Sequence, residues 1–127
     1  MNTHRDPREL AVVLLSRSSC GEQHAAVLSD DHGIFSWGWN HARSSGGFHA
    51  EEHAVERANK ARLRGAMLTI AGMREKNGNW LCARPCERKK PVSRSVRKHS
   101  CMELLKKHGI KKVEYMTRDG TWEILFL

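Results

Sequence analysis

Several residue classes are scarce in this sequence, and each shortage excludes something. No apolar run approaches the roughly 20 residues needed to cross a bilayer, so a membrane-spanning helix is not expected. The opening stretch MNTHRDPREL is polar, and the AVVLL that follows is too short for a secretory h-region and has no small-residue cleavage site after it. The chain therefore reads as soluble, cytoplasmic or otherwise intracellular, without a signal peptide. Cysteine is limited to four positions, Cys20, Cys82, Cys86 and Cys101. In an intracellular protein these point to metal binding or simple burial rather than to disulfides. Acidic residues are few, 14 against 22 Lys and Arg, which leaves a net charge of +8. That excess suggests a polyanionic or phosphorylated partner. No internal repeat is visible. With 127 residues, 39% of them hydrophobic, the chain has the length of a single domain spanning 1–127 and enough apolar surface for a core.

What is present alternates between strand and helix signals. Arg8 to Arg17 predicts a short helix with Pro7 in its first turn. His24 to Leu28 and Ile34 to Trp39 predict a hairpin around the turn Asp30-Asp31-His32-Gly33. His41 to Phe48 reads as a loop, and His49 to Leu63 as a helix ended by Gly65, its small residues Ala50, Ala54, Val55, Ala58 and Ala61 suited to close packing. Ala66 to Met73 reads as a buried strand, and Trp80 to Ala83 as extended chain after a turn. Glu87 to Ser100 has almost no apolar residues and reads as a solvated loop. Cys101 to His108 predicts a helix closed by Gly109, Ile110 to Thr117 a strand, and Thr121 to Leu127 a final strand or docking tail. The pattern predicts an α/β protein with helices covering a mixed sheet.

Three pieces carry chemistry together. His49-Ala50-Glu51 begins a helix, Pro85-Cys86 follows a strand, and Cys101 begins another helix. One imidazole and two thiolates suit zinc, and three protein ligands leave the fourth position open for water. Zinc lowers the pKa of that water from about 15.7 towards 7. Glu51, two residues past His49, can reach it as a general base without binding the metal. A different pattern overlaps the first piece: His49, Glu52 and His53 fit H-x-x-E-H of inverted zinc peptidases, but that leaves Pro85-Cys86 and Cys101 unexplained.

H-A-E followed by P-C and a further Cys resembles the zinc-dependent cytidine/deoxycytidylate deaminase family. Gly38-Trp39-Asn40 is similar to that family's G-x-N element. The segment from Cys101 to Tyr115 is similar to its helix and G-I-x-x-V-x-Y strand, and Thr117-Arg118-Asp119-Gly120 to the turn after that strand. The likeness covers about residues 24 to 124. It implies a three-layer α/β/α sandwich with a mixed central sheet and a Zn2+ cofactor held by His49, Cys86 and Cys101. It implies Glu51 as proton shuttle, and substrate contacts from Asn40, the Ala50 N–H, Ala83 and Arg84. Phe48 is a candidate for stacking on a base. The expected reaction converts cytosine to uracil with release of ammonia, on a cytosine-containing nucleotide or on single-stranded DNA or RNA. The alternatives are an adenosine deaminase acting on tRNA or other nucleic acid, and a non-catalytic nucleic-acid-binding zinc domain on the same scaffold.

The sequence departs from the family at one place. The family spacing is P-C-x-x-C, whereas fourteen residues, Glu87 to Ser100, separate Cys86 from Cys101. Cys82 and His99 are therefore alternative ligands, and Cys101 is preferred because the family-like helix begins there. Cys20 and Cys82 are then expected to be reduced, and buried or behind the ligands. Eleven of the 22 basic residues lie between Arg84 and Lys112. Among them Arg88, Lys89, Lys90, Arg94, Arg97 and Lys98 are expected either to contact phosphate or to form a solvated, solubilising loop.

Overall fold

The computed structural model describes residues 6–43, 46–87 and 100–127. Helix α1 (Pro7–Leu14) starts where the Asp6 side chain accepts from the Arg8 N–H at 2.9 Å, with Pro7 in the first turn where no N–H is needed. It runs on into a 3₁₀ turn, Leu15–Arg17, so the expected ten-residue helix is an α-helix with a tightened last turn. The strands β1 (Glu22–Asp30) and β2 (Gly33–Trp39) form the expected hairpin. The expected loop from His41 holds a two-stranded ribbon of β3 (His41–Arg43) and β4 (Gly46–Phe48).

Helix α2 (Ala50–Arg57) is shorter than the stretch to Leu63 predicted by composition. Ala58 turns extended and Asn59 caps a separate 3₁₀ turn, Lys60–Arg62. Lys60 explains the break. Its Nζ donates to the carbonyls of Val55, Glu56 and Ala58 at 2.5, 3.0 and 3.2 Å, completing the helix end instead of extending it. Next come β5 (Met67–Arg74), α3 (Cys101–Lys107), β6 (Lys112–Met116) and β7 (Trp122–Phe126). The C-terminal stretch is thus a strand. Trp80 to Ala83 forms no strand and makes one isolated bridge, Met73 with Trp80. Arg88, Lys89, Lys90, Arg94, Arg97 and Lys98, which carry the expected phosphate contacts, lie outside the described residues, as does His99.

The five-stranded sheet has the order β2-β1-β5-β6-β7. Only β5 and β6 are parallel, so the sheet is mixed. Residues paired in register share a face. Leu28 lies in register with Ser36 and Leu68, and the Ser36 hydroxyl donates to the Ala54 carbonyl of α2 at 2.7 Å. Val27 lies in register with Thr69, and Thr69 with Glu114, which Arg8 of α1 grips at 2.5 Å. The two helices therefore cover opposite faces, and α3 packs beside α2. This is the expected α/β/α sandwich. Ala25, Ala26, Val27 and Leu28 are all fully buried. A strand covered on both sides reads as a continuous apolar run, not an alternating one. Among the described residues no helix is long and apolar enough to cross a membrane.

Candidate active site

The N-termini of α2 and α3 come to the same end of the sheet. His49 is the N-cap of α2, and its backbone N–H donates to the Glu52 carboxylate at 3.0 Å, which fixes the entry of the chain into the helix. Ser100 caps α3 by accepting from the Glu103 N–H at 3.1 Å, and this places Cys101 in the first turn. The Met102 N–H donates to the Cys86 carbonyl at 3.0 Å, so the chain around Cys86 is tied directly to α3. The metal-ligating atoms of His49, Cys86 and Cys101 consequently lie within 4.8 Å of one another, with His49 Nδ1 and Cys101 Sγ 3.0 Å apart.

The donor set fits zinc, with one imidazole and two sulfurs in a closed triangle. Cys101 is almost fully buried. Burial pushes its thiol pKa up, and the neighbouring Glu51 and Cys86 charges push it further. Without a cation the site therefore favours a neutral thiol, and a divalent ion reverses that preference.

A pocket of about 340 Å³ opens beside this triangle. It gathers Asn40, His49, Ala50, Glu51, Ala83, Arg84 and Cys86 from the expected set. Glu51 and Ala50 are buried. Arg84 is exposed, bonds Glu87 at 2.9 Å, and has its guanidinium held protonated chiefly by that carboxylate and then by Tyr115. Phe48 is not in the lining; its ring packs on His41 and His53 at 5.3 and 5.9 Å between centroids. Cys20 and Cys82 are free thiols as expected; Cys82 is exposed and lines the pocket near Cys86, so of its two expected placements it is not buried, while Cys20 is half-buried.

The peptidase-like pattern is not assembled. His53 Nδ1 accepts from the Trp39 N–H at 3.2 Å, and Glu52 is engaged with the His49 backbone. Burial is the main factor lowering the His53 pKa.

Glu22 and His24 are the lining residues that sequence reasoning missed. The signal lay in Asn40, whose side chain folds back onto β1. Its Oδ1 accepts from the Ser18 hydroxyl at 2.5 Å and the His24 N–H at 2.9 Å, and its Nδ2 donates to the Glu22 carbonyl at 2.7 Å.

A histidine capping a helix, two cysteines converging on it and a buried glutamate in the adjoining pocket describe the class of zinc-dependent hydrolytic deaminases. The family model for the "Cytidine and deoxycytidylate deaminase zinc-binding region" matches residues 1–117, and the chain belongs to that family. A cytidine deaminase from Burkholderia pseudomallei is similar in structure, with a TM-score of 0.68 and 19% identity over 98% of this chain and 93% of that one. RibD from Acinetobacter baumannii gives a TM-score of 0.58 and 22% identity, over 84% of this chain and 26% of RibD. A cytidine deaminase from Mycobacterium leprae gives 0.51 and 20%, over 92% of this chain and 88% of that one. No curated protein matches the sequence.

Proposed function

We propose that the chain hydrolyses the exocyclic amine of a cytosine base, on a nucleotide or a single-stranded nucleic acid, giving uracil and ammonia. The observation that carries this reading is the ligand triangle of His49, Cys86 and Cys101 set against buried Glu51 in a pocket of about 340 Å³. His49, Cys86 and Cys101 hold the metal. When bound, zinc supplies the Lewis acidity that makes water a nucleophile at neutral pH.

The other steps belong to the protein. Glu51 accepts a proton from the attacking water and delivers it to the base, then carries the second to the departing amine. One C–N bond breaks at C4, one C–O bond forms there, and both water protons end on the products. The Ala50 N–H, at the first position of α2, donates to the base carbonyl. Ala83 and Arg84 flank the exocyclic amine, and the remaining Nδ2 proton of Asn40 is offered to the sugar. Phe48 acts by buttressing His41 and His53. The basic residues Arg88, Lys89, Lys90, Arg94, Arg97 and Lys98 support a phosphate-bearing substrate by their charge.

The test is a mass-spectrometric panel. Zinc-loaded protein is given cytidine, deoxycytidine, their 5′-monophosphates, single-stranded DNA, RNA and tRNA, with Glu51→Ala as control. Uracil formation that disappears in the control is expected. Conversion of adenine alone, or product formation equal in the control, would overturn the reading.

A further inference from the structure

Of the H-x-x-E-H pattern, His49 and Glu52 have parts in the site and His53 has none. His53 stands one turn along α2 from His49, and its backbone N–H donates to the His49 carbonyl at 3.0 Å. Its side chain is half-buried and lies outside the pocket lining.

That side chain closes an open end of the sheet. Trp39 is the last residue of β2, which is an edge strand. The following amide, that of Asn40, turns inward and donates to the His24 carbonyl of β1 at 3.1 Å. By the alternation of a strand, the Trp39 N–H turns outward, where no strand lies among the described residues. His53 Nδ1 accepts it at 3.2 Å. The His53 ring also meets three others, with centroids 4.8 Å from Trp39, 4.8 Å from His41 and 5.9 Å from Phe48. His41 and Phe48 pair in register at the base of the β3–β4 ribbon. Gly38 makes the seat possible, because a Cβ there would meet that of His53 at 2.7 Å.

The residues that His53 holds share one property. Trp39 and His41 stand on either side of Asn40, and Phe48 stands just before His49. Asn40 and His49 both line the pocket. We propose that His53 is a positioning residue: by accepting from the Trp39 N–H and wedging the base of the β3–β4 ribbon, it fixes Asn40 and His49 at the pocket. A hydrogen bond sets direction as well as distance, so the Nδ1 acceptor carries more of this duty than the ring contacts. The effect through Asn40 rests on the cytosine deaminase reading above, whereas the effect through His49 needs only the metal site.

Two substitutions divide the side chain. His53→Asn keeps an acceptor near the position of Nδ1 and loses the ring; His53→Phe keeps a ring and loses the acceptor. Zinc affinity is read by competition with a chromophoric chelator. The constants kcat and KM are read at saturating zinc, on the cytosine substrate of the panel that wild type converts fastest. His53→Phe is expected to bind zinc about tenfold to a hundredfold more weakly, the usual cost of losing a group that orients a metal ligand. It is also expected to raise KM with kcat little changed. His53→Asn is expected to bring zinc affinity and KM back to within a few fold of wild type. In wild type the Trp39 amide should exchange slowly with deuterium, and exchange as fast as at an open strand edge would overturn the inference whether or not the variants fold. Wild-type zinc affinity and KM in His53→Phe would overturn it too. So would equal losses in both variants, which would make His53 a packing residue or a ligand. If no cytosine substrate is converted, the functional reading falls, and zinc affinity still decides the role of His53.

Discussion

The sheet has two ends, built from the same elements and used in opposite ways. At the end distant from the pocket, the polar groups satisfy one another. Lys60 closes the carbonyls of α2, and Arg62 clamps Asp30 through two hydrogen bonds of 2.8 and 2.6 Å while its guanidinium stacks on Phe35. Gly65 donates to the Gly109 carbonyl at 2.7 Å, linking the turns after α2 and α3. At the pocket end, the backbone is equally well tied but side chains are left facing the cavity: Glu22, His24 and Cys82. The contrast separates polar groups that hold the fold from those available to a ligand. Open α/β sheets place ligands outside the carboxyl ends of parallel strands, and here that is the end where β5 and β6 finish.

The largest expected effects break the pocket end alone. Glu51→Gln should lower kcat by about a hundredfold to ten-thousandfold, the usual worth of a positioned acid–base group. It should leave bound zinc near one per chain, measured by elemental analysis. Cys101→Ser should lose activity as deeply and lose the zinc as well. Retention of full zinc by Cys101→Ser would show that Cys101 is not a ligand.

Gly38 sets how closely the two layers approach. A Cβ there would fall 2.5 Å from the Ala54 nitrogen and 2.7 Å from the His53 Cβ. These are atoms of a helix core that cannot rotate away. Gly38→Ala should therefore cost about 1–3 kcal/mol of stability, as overpacking does, and reduce kcat by tilting α2 with Glu51 on it. Urea unfolding and turnover measured together check both. Lost stability with unchanged kcat would show that α2 shifts without moving its N-terminus.

Much of this site was legible in the sequence, and the reasons for the gaps are physical. His49, Glu51 and Cys101 announce themselves because helix starts have local signatures: the acidic first turn Ala50-Glu51-Glu52 after His49, and Ser100 before Cys101. Cys86 was identified by its proline, although fourteen residues separate it from Cys101; Cys101 reaches it through one Met102-to-Cys86 backbone bond that no local pattern encodes. The early end of α2 was illegible because Asn59, Lys60, Ala61 and Arg62 are acceptable in a helix, and what stops it is a lysine folding back on three carbonyls. Glu22 and His24 were missed because only the pairing of β1 with Asn40 and Gly72 brings them to the pocket.

At the opposite end the expected effects are smaller and confined to stability. Lys60→Met removes the cation at the α2 C-terminus and should cost about 0.3–1 kcal/mol, with kcat/KM unchanged. A loss of activity matching that of Gly38→Ala would erase the distinction between the two ends.

The gentlest test is acid. The Arg62 side chain bonds the Asp30 carboxyl and, as the largest influence, lowers its pKa to about 2. An unfolded aspartate titrates near 3.9, so the folded state binds this proton less readily than the unfolded state does. The pairing therefore contributes stability that is fully present above about pH 4 and is lost as the pH falls through 2. Because the pair is solvent-screened, the effect should be slight. Asp30→Asn should flatten the stability–pH curve between pH 4 and 2 relative to wild type and leave kcat/KM at neutral pH unchanged. Parallel curves would mean that Arg62 holds this turn through its contact with Phe35 rather than through charge.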